Sequence, residues 1–81
     1  MVLKSNVPFT FISSYSGVSS TSGNPFWCYN LESDGRIHRF FAGESLGDFQ
    51  LGDLVEVLFN FYPASGDKPP RLFLLSMSQV G

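Results

Sequence analysis

Five segments of the chain alternate apolar and polar side chains with the period of a strand, and none repeats at the spacing of an amphipathic helix. They cover residues 7–15, 25–32, 36–42, 54–62 and 71–77. In the first, Phe9, Phe11 and Ser13 alternate with Thr10, Ile12 and Ser14. In the second, Trp27, Tyr29 and Leu31 take one face and Phe26, Cys28 and Asn30 the other. The fourth sets Val55, Val57, Phe59 and Phe61 on one face, while Leu54, Leu58 and Tyr62 interrupt Glu56 and Asn60 on the other. In the fifth, Leu72 and Leu74 oppose Phe73, Leu75 and Met77.

Strong turn signals separate these segments. Residues 16–24 form a polar loop with two glycines, long for a tight hairpin. Asp34-Gly35 is a short hairpin signal, because both residues tolerate positive φ. Residues 43–53 hold three glycines, with room for one helical turn at 44–48 and no longer helix. Residues 63–70 carry three prolines and read as another loop. An open sheet of five strands would leave one face wet, yet several strands are apolar on both faces. The pattern therefore predicts an all-β fold, a small five-stranded antiparallel barrel with long loops, occupying residues 1–81 as one domain. The surplus apolar face is either a seam between chains or a ligand platform.

Composition narrows the chemistry. Of 81 residues, 43% are hydrophobic and 15% charged, enough apolar surface to fold and too much for a disordered tail. A single cysteine excludes an internal disulfide, and one cysteine with one histidine does not fill a structural zinc site. No cofactor or metal is expected, and a partner chain is the remaining source of extra burial, which points to a homodimer. The first residues lack a signal-peptide core, and no apolar run approaches the ~20 residues that cross a bilayer. With a lone Cys28 these features predict a cytoplasmic protein. The one histidine lacks a nucleophile beside it, the carboxylates are scattered among turns, and no glycine-rich loop leads into a lysine and a helix. No enzyme and no small-molecule substrate is expected.

Aromatic residues make up 16% of the chain, nine of them Phe. Single-stranded nucleic acid is held by aromatic stacking platforms combined with cations that follow the phosphates. Trp27 shares its face with two apolar neighbours and reads as core. Phe26, directly after Gly-Asn-Pro, is open to two readings, platform or core. Arg36 and Arg39 bracket His38, while Lys68 and Arg71 bracket the start of the fifth segment. These are either phosphate contacts or ordinary solubilising charges, and His38 is either a half-solvated sheet histidine or a contact to the polymer. The net charge of -2 argues against nucleic acid, although a local patch sets the contact field.

The segment Ser16-Gly17-Val18-Ser19-Ser20-Thr21-Ser22-Gly23-Asn24-Pro25-Phe26 resembles the DNA-binding loop of the small single-stranded DNA-binding proteins of filamentous phages, with one extra residue in its polar linker. Gly52-Asp53-Leu54-Val55-Glu56-Val57 looks like the entry to the fourth strand of many OB-fold proteins. The resemblance implies an OB-like barrel that forms a cooperative homodimer and coats single-stranded DNA in phage or plasmid replication, in the host cytoplasm. It implies that Phe26 takes the place of the loop's stacking tyrosine and Cys28 that of the next outward apolar contact. The family's basic positions fall on Tyr15 and Ser20, neither of which is cationic, so Arg36, Arg39, Lys68 and Arg71 are left to meet phosphates. Phe73 is a further stacking candidate. The candidate contacts are thus Tyr15, Ser20, Phe26, Cys28, Arg36, His38, Arg39, Lys68, Arg71 and Phe73. The alternative is a non-catalytic small β-barrel that serves protein interaction or assembly.

Overall fold

The computed structural model describes residues 2–4 and 7–80. Six strands form: β1 (Val2–Lys4), β2 (Phe9–Val18), β3 (Pro25–Ser33), β4 (Arg36–Ala42), β5 (Leu54–Tyr62) and β6 (Arg71–Gln79). Strands β2 to β6 are the five that alternation predicts. β1 is the addition; three residues are too few for a period to show. It runs antiparallel along Leu58, Phe59 and Asn60 of β5, beyond the point where β2 leaves that edge at Leu54 and Val55.

The barrel closes in the order β2-β3-β4-β6-β5 and back to β2. β2 with β3, β3 with β4 and β5 with β6 are long antiparallel pairs. The closing contact between β4 and β6 is parallel and consists of one pair, Phe41 with Phe73. The result is an OB-like closed barrel. Inside lie Phe11, Tyr29, Leu31, Phe40, Ala42, Val55, Val57, Leu74 and Met77, with Phe9, Trp27, Phe59 and Leu72 packed against them. The face assignment of β5 and the core reading of Trp27 agree with this arrangement.

Two bulges change which residues face inward. In β2, Phe11 pairs with Leu31 but Ser13 pairs with Asn30, so Ile12 is an extra residue. Because strand alternation has period two, that single residue exchanges the faces beyond it. Tyr15, which shares the parity of Phe11 in sequence, therefore lies opposite Cys28 on the outside. In β6 the pairing shifts from Leu74 with Phe59 to Ser76 with Leu58, leaving Leu75 as the extra residue. This corrects the expected grouping of Met77 with Phe73 and Leu75: Met77 is buried beside Leu74, whereas Phe73 and Leu75 are exposed.

The connections follow their residues. Asp34 and Gly35 both have positive φ, 54° and 75°, and join Ser33 directly to Arg36 in a two-residue hairpin. The loop after β2 is shorter and more ordered than a polar run suggests. Val18 pairs with Pro25, and the backbones of Ser19 and Asn24 hydrogen-bond at 2.9 Å. The Ser19 hydroxyl accepts from the N–H groups of Thr21 and Ser22 at 3.3 and 3.4 Å. Residues 43–53 cross one end of the barrel as irregular chain, without the helical turn expected at 44–48. Gly47 stands at φ 123°, outside any helix, and brings Phe49 against Phe11 with ring centroids 5.8 Å apart. The Tyr29 hydroxyl anchors this segment by accepting the Leu46 N–H at 3.0 Å.

Candidate binding surface

The outer faces of β2, β3, β4 and β6 carry an apolar stripe of their own. Cross-strand neighbours share a face, and the pairs run Tyr15 with Cys28, Cys28 with Phe41, and Phe41 with Phe73. Phe26 lies one step along β3, opposite Gly17. Its ring rests over that glycine, so a Cβ there would stand 3.2 Å from two ring carbons. Tyr15 meets Phe26 edge to face, with centroids 6.3 Å apart and planes at 87°. The tip of the Phe73 ring stands near Gly43, with one carbon 3.7 Å from the place of a Cβ, an ordinary contact.

A groove of about 620 Å³ runs between these rings, floored by Phe41 and walled by Phe26, Phe73 and Tyr62, with Ser20 and Arg71 at its rim. Tyr15 is 47%, Tyr62 49% and Phe73 37% exposed, large values for rings of this size. A second cavity of about 800 Å³ lies on the far side of Phe41 and is bordered by Asn30, His38, Arg39 and Arg71. Phe41, Arg71 and Leu72 belong to both walls. Two of the chain's five lysines and arginines border these cavities, and none of its seven carboxylates is among the described residues that line them.

The sequence candidates divide into three groups. Tyr15, Ser20, Phe26, Arg71 and Phe73 come together at the first groove, through lining positions and the Tyr15–Phe26 contact. His38 and Arg39 come to the second cavity from opposite faces of β4: Arg39 is outside with Phe41, while His38 shares the inner parity of Phe40 and stacks on Phe9 at 5.9 Å. Arg36 sits at the β3–β4 turn and Lys68 in a small exposed hairpin closed by Ser65, and neither lines a cavity. Cys28 is a correction. It is on the outer face by parity, but it is fully buried and offers no atom to a ligand. The same position hydrogen-bonds the Tyr15 phenol, which raises the Tyr15 pKa above its ordinary value of 10.0, while the nearby Arg39 charge opposes the rise.

Phe41 and Tyr62 are the groove aromatics that sequence reasoning missed. A signal for Phe41 was present: it shares the parity of Arg39, whose position on an otherwise apolar face marked that face as outward. Tyr62, directly before Pro63, reads as a strand end, with no sign that it pairs with Arg71 and so borders the groove.

The surface is an aromatic cluster capable of surface interactions. Among the described residues no three His, Cys, Asp or Glu side chains converge to hold a metal ion. No helix of the described residues is long and apolar enough to cross a membrane. In comparison with known proteins, no family model, no curated protein and no solved structure matches the chain. What stands of the sequence resemblance is its coarse part, the OB-like barrel.

Proposed function

We propose that this chain is a small non-catalytic β-barrel that works by holding an extended partner on its aromatic outer face. The observation that carries this reading is the groove itself, in which Phe26, Phe41, Tyr62 and Phe73 present rings on the outside of a barrel that already has a complete core. Apolar surface of this kind on a small domain marks a site of interaction.

Within that reading, single-stranded DNA is the finer proposal. Rings accept bases of any sequence, and each stacked base contributes about 1–3 kcal/mol. Arg39 and Arg71, with no carboxylate among the described residues lining their cavity, supply a local positive field on a chain of net charge -2. The loop segment 16–26, which resembles that of phage single-stranded DNA-binding proteins, forms one end of the groove. Coating of single strands during replication, a homodimeric state and a cytoplasmic location belong to the same proposal.

The second reading, a protein-interaction or assembly module, has its own support. Leu54 and Leu75 are exposed outside the groove, at 47% and 39%, where a nucleic acid has no use for them. Titration of Tyr and Trp27 fluorescence with oligo-dT at low salt, repeated at ~0.2 M, separates the two. Saturable binding to single strands with little to duplex, weakened by salt, establishes the polymer reading. An absence of binding at low salt leaves the assembly module.

A further inference from the structure

The parallel contact between β4 and β6 ends abruptly, and its end is chemically unusual. Phe41 and Phe73 pair, and the strands then separate toward their N-terminal ends. Pro69 and Pro70 immediately precede β6 and have no N–H to give, so pairing cannot extend back beyond Arg71. Two residues before the pair on each strand stand Arg39 and Arg71, on the same outward parity as Phe41 and Phe73. Both line the cavity that opens between the strands. Like charges facing each other across strands destabilise a sheet, and among the described lining residues no carboxylate separates these two.

We infer that the opening between β4 and β6 is an anion subsite, in which Arg39 and Arg71 hold one phosphate of a polynucleotide whose neighbouring base lies in the aromatic groove. Arg71 borders both cavities and is the link between them. Two guanidinium groups across a cleft suit a phosphate, since each donates planar paired N–H groups to its oxygens. Asn30 lines the same cavity with its amide donating to the Ser13 hydroxyl at 3.0 Å, which fixes its orientation. His38, Phe61 and Leu72 close the inner side. The subsite rests on the polymer reading for its choice of anion, and Arg39 becomes a positioning contact for phosphate that no aromatic residue replaces.

The test is NMR on the whole chain, observing backbone and side-chain N–H signals, with inorganic phosphate alone, with the dinucleotide pdTpdT and with a longer oligo-dT. Phosphate is expected to shift Asn30, Arg39 and Arg71, and the dinucleotide to shift Phe26 and Phe73 as well. Arg39→Gln should weaken oligo-dT binding roughly tenfold, by loss of a charge-assisted hydrogen bond, and lower the salt slope by about one. Lys4→Gln, a change of the same charge at an exposed residue lining neither cavity, should do neither. Oligo-dT that shifts only the groove, with Arg39→Gln equal to the unchanged protein, overturns the subsite and leaves the groove reading standing. Phosphate shifts in the cleft without any oligo-dT binding overturn the polymer reading and keep the anion site. No shift with any probe overturns both.

Discussion

The inside of the barrel and the outer face of β2, β3, β4 and β6 are both apolar, and both are built by the same alternation along the same strands. They differ in what accompanies the rings. Inside, Leu31, Val55, Val57, Leu74 and Met77 fill the space between Phe11, Phe40 and Tyr29, and the single phenol there is hydrogen-bonded to the Leu46 N–H. No charged or polar residue is buried among the described residues. Outside, rings stand half-exposed, Phe26 close over Gly17 and Phe73 near Gly43, and arginines stand at their margins. Apolar character alone does not tell core from platform. The neighbours do: shape-filling aliphatics exclude water, whereas half-exposed rings with cations beside them keep a face open.

Perturbing each side separately sharpens this contrast. The largest effect is expected inside. Leu31→Ala removes a fully buried side chain and should cost about 2–5 kcal/mol in urea unfolding, a large share of what a domain this small possesses. Phe26→Ala should instead leave the urea midpoint close to that of the unchanged protein while weakening oligo-dT binding by about 1–3 kcal/mol. If that variant unfolds, Phe26 belongs to the core and the distinction fails. Gly17→Val places a side chain where the Phe26 ring now lies and should reduce oligo-dT affinity by a smaller factor than Phe26→Ala, read in the same titration. Tyr29→Phe deprives the Leu46 N–H of its acceptor and should cost about 1 kcal/mol in unfolding, with oligo-dT affinity unchanged. The smallest effect is electrostatic. Phenolate absorbance should show Tyr15 titrating above the ordinary value of 10.0, and Cys28→Ala should bring it back toward that value by removing the hydrogen bond that favours the neutral phenol.

Much of the inside was legible in the sequence because burial imposes a period. Val55, Val57 and Phe59 read as one face and are one face. Asp34-Gly35 fixed its hairpin through a backbone demand that few other residues meet. Alternation fails where a strand gains a residue, and neither Ile12 nor Leu75 announces itself, since each is apolar and fits either face. Met77 was misplaced for that reason, and the outward position of Tyr15 did not follow from its own segment. The candidate surface was legible in part. Phe26 and Arg71 follow from residue type and context, but their meeting depends on the closure of the barrel between β4 and β6 at Phe41 and Phe73, which no local pattern encodes. Cys28 shows the opposite limit: parity places it outside correctly, yet neighbouring side chains bury it.

The glycine beneath Phe26 has a consequence for binding thermodynamics. The Phe26 ring lies close over Gly17, within 3.2 Å of where a Cβ would stand, a contact that narrows its rotamers before any partner arrives. Ordering a mobile side chain at an interface costs about 0.5–1.5 kcal/mol, and a ring already held in position escapes much of that loss. Under the proposed function, Gly17 thus acts on affinity through entropy, without touching the ligand.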